Sequence, residues 1–168
     1  MRNLGSYLPS LYCETLKAVP FLPFESFLQS PLPRLSWLPL VRGLQRAFPG
    51  SPLTVYTAET LRGREAALIS RVIGLPVAQF RKVNHSERPG FSRNAVEAMR
   101  ASWEAGRPWP HQRWREVVAA HPRSASPGFD PWSPEERDFF DRRHESDLEA
   151  IAALPGWSFW GWRNSEAD

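Results

Sequence analysis

The sequence predicts one α/β domain that is mostly helical and contains a single clear strand. Six or seven stretches carry apolar residues at helical spacing, and several of them have capping residues or end at a Gly or Pro signal. The strand is the β-branched and aromatic run LTVY at residues 53–56. A helix, then a strand, then a helix is the order typical of a parallel sheet with crossover helices, and this order predicts the α/β class.

The predicted helices can be followed along the chain. Residues 6–17 form the first, with an apolar face of Leu8, Leu11, Tyr12 and Leu16. Residues 19–33 contain four prolines and predict a packed but irregular connection. The helix after Ser36 is expected to bury Leu40, Val41, Leu44 and Phe48. The remaining helices are expected at residues 64–73, 92–104 with Ser92 as cap, 109–120, and 134–154 behind a Ser133–Glu136 capping box.

The strand needs a partner, because an isolated strand leaves its backbone hydrogen-bonding groups unpaired. In an α/β fold this partner is the strand before the first helix, and only Met1, Arg2 and Asn3 remain to supply it. Three residues are too few for a whole strand. We therefore expect them to be the end of a longer strand in a protein shortened at its N-terminus. The tryptophan-rich tail, residues 157–162, is expected to pack back onto the body.

Composition narrows the class of protein. With 168 residues, 42% of them hydrophobic and 23% charged, the chain resembles an ordinary soluble domain. No apolar run reaches the roughly 20 residues of a membrane span, and no secretory signal pattern is seen, so we expect a cytoplasmic protein without a membrane partner. Cys13 is the only cysteine, which excludes an internal disulfide.

The charge pattern bears on possible ligands. A net charge of +3 is too small to predict binding to nucleic acid. Nineteen arginines stand against only Lys17 and Lys82. A bound anion would therefore be met by planar guanidinium groups, which suit phosphate and sulfate.

Arg2 and Ser10 are the candidate ligands of such an anion. An arginine at a strand end and a hydroxyl on the next helix can converge on one phosphate, and the helix N-terminus adds partial positive charge. The alternative is a surface arginine and an ordinary helix serine. The chemistry of the two residues leaves both interpretations open.

The segment RNxxSxLxSLY at residues 2–12 resembles the 3′-phosphate-binding motif of the sulfotransferase family, in which a strand-end arginine is followed eight residues later by a serine. Later segments are similar to bacterial members: the strand with its Tyr56 to Leu61 continuation, the Ile73-Gly74-Leu75-Pro76 helix end, Asn84-His85-Ser86, and the acidic last helix. The resemblance implies one incomplete domain over residues 1–168, the C-terminal part of a three-layer P-loop-like sulfotransferase fold.

The resemblance also implies an activity and a co-substrate. The family transfers a sulfuryl group from 3′-phosphoadenosine 5′-phosphosulfate to a hydroxyl or amine, here of a small-molecule or glycan acceptor. Arg2 and Ser10 match the 3′-phosphate ligands, and Arg81 and Lys82 begin a loop similar to the family's basic loop, although a solvated basic loop is the alternative. The family's glycine-rich 5′-phosphosulfate loop with its lysine is absent, so the resemblance implies that this chain alone is inactive, with catalytic residues unknown.

A second hypothesis is a non-enzymatic helical binding module. Tryptophans at 103, 109 and 114 lie near helical spacing among arginines at 107, 113 and 115, and they could line a groove for a partner protein or nucleic acid, or simply pack.

Cys13, beside apolar neighbours, is predicted to be buried and unreactive. No metal is expected, because the four histidines lack ligand spacing; His85, His111, His121 and His144 are predicted at the surface or at helix caps.

Overall fold

The computed structural model describes residues 1–29, 36–77 and 89–159 of the chain. Helices dominate these residues, and this mostly helical character confirms the coarse prediction from the sequence. A short 3₁₀ turn, His111–Arg113, precedes α7. The elements are α1 (Leu4–Thr15), α2 (Phe24–Gln29), α3 (Leu38–Ala47), β1 (Leu53–Val55), α4 (Ala58–Leu61), α5 (Glu65–Ile73), α6 (Arg93–Glu104), α7 (Trp114–Ala120), α8 (Pro134–Ala152) and β2 (Trp157–Phe159).

The chain groups into two compact units. The first unit consists of Met1–Leu4, Ser36–His85 and Asp138–Asp168, and the second unit of Gly5–Leu35 and Ser86–Arg137. Each unit has its own cluster of buried apolar side chains. The two units are therefore described one at a time.

The core of the second unit is built around Tyr12. The predicted apolar face of the first helix is confirmed at Leu8, Tyr12 and Leu16, which are fully buried, whereas Leu11 is partly buried. The Tyr12 ring lies 5.1 Å from the ring of Phe24 and 5.4 Å from that of Phe27, and its hydroxyl donates a hydrogen bond of 2.8 Å to the carbonyl of Leu22. The proline-rich connection thus contributes a short helix whose aromatic side chains close over α1.

Pro9 lies inside α1, further from the helix start than the sequence suggested. Proline has no backbone N–H, so the carbonyl of Gly5, four residues earlier, receives no helical hydrogen bond from it. The indole Nε1 of Trp132 donates to this carbonyl instead, at 2.6 Å. A side chain distant in sequence thereby donates to the acceptor that the proline itself cannot serve.

Replacing Trp132 with phenylalanine is expected to lower the free energy of unfolding by about 1–3 kcal/mol, because the Gly5 carbonyl loses its donor while an aromatic ring remains. Urea denaturation followed by circular dichroism measures the change. The matched control is Trp109→Phe, since the described residues supply no acceptor for the Trp109 indole and this ring also packs on the core. An equal loss in the two variants would contradict the role assigned to the Trp132 hydrogen bond.

The capping predictions for α6 and α8 are confirmed. The Ser92 hydroxyl accepts from the amide of Ala95 at 3.1 Å. At α8, Ser133 and Glu136 exchange hydrogen bonds of 2.8 and 3.2 Å, as a capping box requires. α8 ends at Ala152, two residues before the predicted end.

The first unit contains a two-stranded parallel sheet. β1 confirms the predicted strand, and it pairs with β2 in the register Leu53↔Trp157, Thr54↔Ser158 and Val55↔Phe159. The hydroxyls of Thr54 and Ser158 lie 3.0 Å apart across the pair. The sequence placed the tail against the body without assigning it to the sheet, so β2 is a strand that the prediction missed.

The predicted buried face of α3 is wrong at three of its four positions. Val41 is 4% exposed, whereas Leu40, Leu44 and Phe48 are 54%, 40% and 55% exposed. The buried cluster of this unit is small, formed by Val41, Val55 and Ile151 with partly buried neighbours, and it covers only one edge of the apolar side of α3. Spacing predicted the helix correctly, but it does not tell how much of an apolar face finds a partner.

Candidate functional site

Met1 forms two backbone hydrogen bonds with the segment that follows β1. Its amino group donates to the carbonyl of Tyr56, and its carbonyl accepts from the amide of Ala58 at 2.5 Å. In a parallel pair, one residue bonds in this way to the two residues that flank its partner. Met1 therefore lies in parallel register with Thr57, as the prediction of a strand end at the start of the chain requires.

Arg2 and Asn3 follow this position, at the edge where the strands end. In open parallel sheets, ligands bind outside the carboxyl ends of the strands, so this is the edge on which a site is expected. Arg2 is partly exposed, and its carbonyl accepts from the indole Nε1 of Trp37 at 2.8 Å. The backbone of Arg2 is thus held by α3 and by its neighbour Met1.

The other three predicted cofactor ligands, Ser10, Arg81 and Lys82, do not lie in the described part of the first unit. Ser10 lies on α1 in the second unit and is partly exposed. Arg81 and Lys82 lie outside the described residues, as does His85. Of the two predicted cofactor ligands that the structure describes, Arg2 follows the paired Met1 in the first unit, and Ser10 lies in the second unit.

Two carboxylates contact Asn3 beside Arg2. The Asn3 side-chain amide donates to Asp141 Oδ1 at 2.7 Å, and its backbone amide donates to Glu59 Oε1 at 3.4 Å. Both acids are exposed, so water screens their charge. They nevertheless place negative charge next to Arg2, which opposes binding of an anion there.

His144 is buried in the same region, and its predicted surface position is wrong. It is 8% exposed, and its Nδ1 has no hydrogen-bond partner among the described residues. Burial lowers the pKa of His144 below its ordinary value of 6.5, while the nearby carboxylates of Glu59, Asp147 and Asp141 oppose the shift. The sequence signal was the three-residue spacing of Asp141, His144 and Asp147, which brings all three to one side of a helix.

The start of α4 is capped by its own residues. The Thr57 hydroxyl accepts from the amide of Thr60 at 3.2 Å, and the Thr60 hydroxyl accepts from the amide of Thr57 at the same distance. This capping box was not predicted. Because α4 has only four residues and its first amides are engaged, its start offers no separate anion site.

A cleft of about 300 Å³ lies at the opposite ends of the strands in the first unit. It adjoins Leu53, the first residue of β1, and Gly156, which precedes β2. Its other lining residues are Gln45, Phe48, Gly50, Ser51, Pro52 and Pro155. Among the described residues no charged side chain lines this cleft, and it lies at the amino ends of the strands, so it suits neither a phosphate nor the usual site of an α/β sheet.

The arginine and tryptophan residues of the second unit contact each other. The guanidinium of Arg113 lies 5.5 Å from the Trp109 ring centre, and that of Arg115 lies 5.0 Å from Trp114. Both rings also pack against the buried cluster around Tyr12. These contacts favour packing over a groove for a partner.

The side chains of Lys17 and Cys13 are both buried among other residues of the second unit. The Lys17 ammonium is 2.6 Å from Glu14 Oε1 and 4.8 Å from the Trp114 ring centre, and its side chain is fully buried. Cys13 is 5% exposed, and burial raises the pKa of its thiol to about 11. The predicted burial of Cys13 is confirmed, and its low reactivity stays a prediction that the raised pKa supports.

Comparison of the chain with known protein families, with curated proteins and with solved structures finds no match. Within the described ranges, no helix has the length and apolar character needed to cross a membrane. The same residues contain no group of three or more His, Cys, Asp or Glu side chains suited to a metal ion. A functional assignment therefore rests on the residues of the site themselves.

Proposed function

We propose that this chain is a sulfotransferase-family protein that holds the 3′-phosphate of 3′-phosphoadenosine 5′-phosphosulfate with Arg2 and Ser10. The observation that carries the proposal is the parallel pairing of Met1 with the residues after β1. It puts an arginine directly after this paired residue, with α1 beginning two residues later at Leu4. A strand end, an arginine and a helix with a serine is the order on which the resemblance to the family rests.

The chemistry of the proposed ligands suits a phosphate monoester. The Arg2 guanidinium can donate two parallel hydrogen bonds to phosphate oxygens, and the Ser10 hydroxyl can donate one more. The Trp37 indole, bonded to the Arg2 carbonyl, fixes the backbone from which that guanidinium extends. The acids that contact Asn3 act against an anion, so this half-site alone is expected to bind the nucleotide weakly.

The residues present fit only the 3′ end of the co-substrate. The sequence has no glycine-rich loop with a lysine for the 5′-phosphosulfate group, and Lys17 is engaged by Glu14 and Trp114 in the second unit. When bound, the co-substrate would supply the sulfuryl group. Its transfer needs stabilisation of charge on that group and removal of a proton from the acceptor, and no residue of the described chain is assigned to either task.

Replacing Arg2 with alanine is expected to weaken binding of adenosine 3′,5′-bisphosphate about 30-fold, because the loss of a charge-assisted pair is worth about 2 kcal/mol. Ser10→Ala is expected to weaken it about fivefold, since one neutral hydrogen bond is lost. Titration followed by NMR detects weak binding and gives the dissociation constants. Arg42→Ala, an exposed arginine of α3, is the matched control.

Two results of this titration would contradict the proposed role of Arg2. Unchanged affinity in Arg2→Ala, or an equal loss in Arg42→Ala, would contradict a specific site at Arg2.

The inactivity of the chain is tested with donor carrying labelled sulfate and a panel of hydroxyl and amine acceptors. No transfer is expected, and turnover would show catalytic groups that the proposal does not contain.

The alternative of a binding module with an arginine and tryptophan surface has no observation in its favour among the described residues. The rings of Trp109 and Trp114 are contacted by cations of the chain itself. Trp103 is 42% exposed, but its ring lies 5.9 Å from the buried ring of Phe21. Packing accounts for these side chains.

A further inference from the structure

α8 carries a row of three ionisable side chains at three-residue intervals in the first unit. Asp141 accepts from the side chain of Asn3 at 2.7 Å. Asp147 accepts from the Ser36 hydroxyl at 2.7 Å and from the Trp37 amide at 2.5 Å. His144 lies between the two acids in the row. Each acid therefore binds a different segment of the chain, and the three-residue spacing makes the histidine the neighbour of both acids along the helix.

The surroundings of His144 are charged, and one of its own ring nitrogens lacks a partner among the described residues. Its side chain is buried, and its Nδ1 has no partner among the described residues. The charged groups that act on it are Glu59 at the start of α4, Asp141 and Asp147 on α8, and the amino group of Met1. A neutral imidazole with an unpaired nitrogen in such a place can take up a proton from solvent, and the imidazolium then needs carboxylate partners.

Both acids of the row are connected to Arg2. Asp147 holds the amide of Trp37, whose indole donates to the Arg2 carbonyl at 2.8 Å. Asp141 holds Asn3, the residue that follows Arg2. A change in the hydrogen bonds of either carboxylate therefore reaches the backbone on which the proposed phosphate ligand sits.

We propose that His144 is a pH-sensitive latch, in which a proton taken up at Nδ1 draws the carboxylates of Asp147 and Asp141 to the imidazolium and away from Trp37 and Asn3. The start of α3 and the segment around Arg2 are then released together. The consequence for nucleotide affinity rests on the proposed function. The release of Trp37 does not depend on it.

The direction of the pH dependence follows from the burial of His144. Its pKa in the folded protein is lowered from 6.5, so below about pH 6.5 the unfolded chain binds more protons than the folded chain. The free energy of unfolding therefore falls as the pH falls from 6.5 to the lowered pKa of His144. About one pH unit above 6.5 the histidine is almost fully neutral in both states and adds no further pH dependence.

The latch is tested by NMR on the whole chain between pH 8 and pH 5. We expect the His144 ring to titrate below pH 6.5 and the indole and amide signals of Trp37 to shift with the same midpoint. His144→Gln, which keeps a polar side chain without a titrating group, should abolish the shift of Trp37. His121→Gln, in the second unit, is the matched control and should leave the shift unchanged.

A Trp37 signal that does not follow the titration of the His144 ring overturns the proposal. So does a Trp37 shift that persists in His144→Gln, because it would then follow the amino group of Met1 or one of the acids. The comparison of midpoints in the unmodified chain decides the matter even if the glutamine variant does not fold.

Binding of adenosine 3′,5′-bisphosphate at pH 5.5 and pH 7.5 separates the latch from the proposed function. The unmodified chain is expected to lose more affinity on acidification than His144→Gln, which reports only the protonation of the phosphate. A Trp37 shift without any nucleotide binding would contradict the proposed function and support the latch. Binding that is equally pH-dependent in both proteins, with no Trp37 shift, would support the function and contradict the latch.

Discussion

Replacing Tyr12 with alanine is expected to lower the free energy of unfolding of the second unit by about 4 kcal/mol. Tyr12 is fully buried on α1, and its ring contacts the rings of Phe24, Phe27 and Phe129 at 5.1 to 5.4 Å. Truncation would leave a cavity at the centre of this aromatic cluster and remove its ring contacts. Urea denaturation followed by circular dichroism measures the change.

Tyr12→Phe separates the ring from its hydroxyl. It removes only the hydrogen bond to the Leu22 carbonyl, so a loss of about 1 kcal/mol is expected. A much smaller difference between the alanine and phenylalanine variants would mean that the ring is not the centre of the core. Tyr7→Ala is the control for losing a tyrosine outside the core, because Tyr7 lies on the same helix and is only partly buried.

Replacing Asp147 with alanine is expected to lower the free energy of unfolding of the first unit by about 3 kcal/mol. This carboxylate is 3% exposed and accepts from the Ser36 hydroxyl and the Trp37 amide, so its removal leaves two donors at the start of α3 without that acceptor. Hydrogen bonds to a charged acceptor are worth more than neutral ones, which sets the size of the effect.

Asp141→Ala is the matched control for Asp147→Ala. Asp141 lies two helical turns earlier on α8, is exposed, and holds the side chain of Asn3 with one hydrogen bond. A loss below about 1 kcal/mol is expected for it. Thermal unfolding of both variants at pH 7.5 gives the comparison. An equally small loss for both would show that Asp147 does not anchor α3.

Local signals in the sequence predicted most of the helices. The caps at Ser92 and Ser133 act within one turn, so their chemistry can be read from neighbouring residues alone. The apolar face of α1 was predicted for the same reason, because Leu8, Tyr12 and Leu16 repeat at helical spacing and all find partners.

Features that depend on distant residues were not predictable in this way. Spacing marked Leu44 and Phe48 as an apolar face, but whether such a face is covered depends on elements elsewhere in the chain. β2 was missed because a three-residue strand has too short a pattern to identify it. Pro9 is accommodated through Trp132, which lies 123 residues further on.

In the candidate site, too, features set by neighbouring residues were predictable and features set by distant residues were not. Arg2 was predicted at a strand end, and the pairing of Met1 with the residues after β1 agrees with this. Burial of His144 was not predictable, because the groups around it come from α4, α8 and Met1. Arg81 and Lys82 lie outside the described residues, so their proposed contact with a phosphate stays a prediction.

The preference of the chain between two nucleotides tests the proposed function most directly. Adenosine 3′,5′-bisphosphate and adenosine 5′-monophosphate differ only in the 3′-phosphate that Arg2 and Ser10 are proposed to hold. Titration of each nucleotide into the unmodified chain and into Arg2→Ala is expected to show a preference of at least about tenfold for the bisphosphate in the former alone. Equal affinity for the two nucleotides, or a preference that is undiminished in Arg2→Ala, would contradict the assignment.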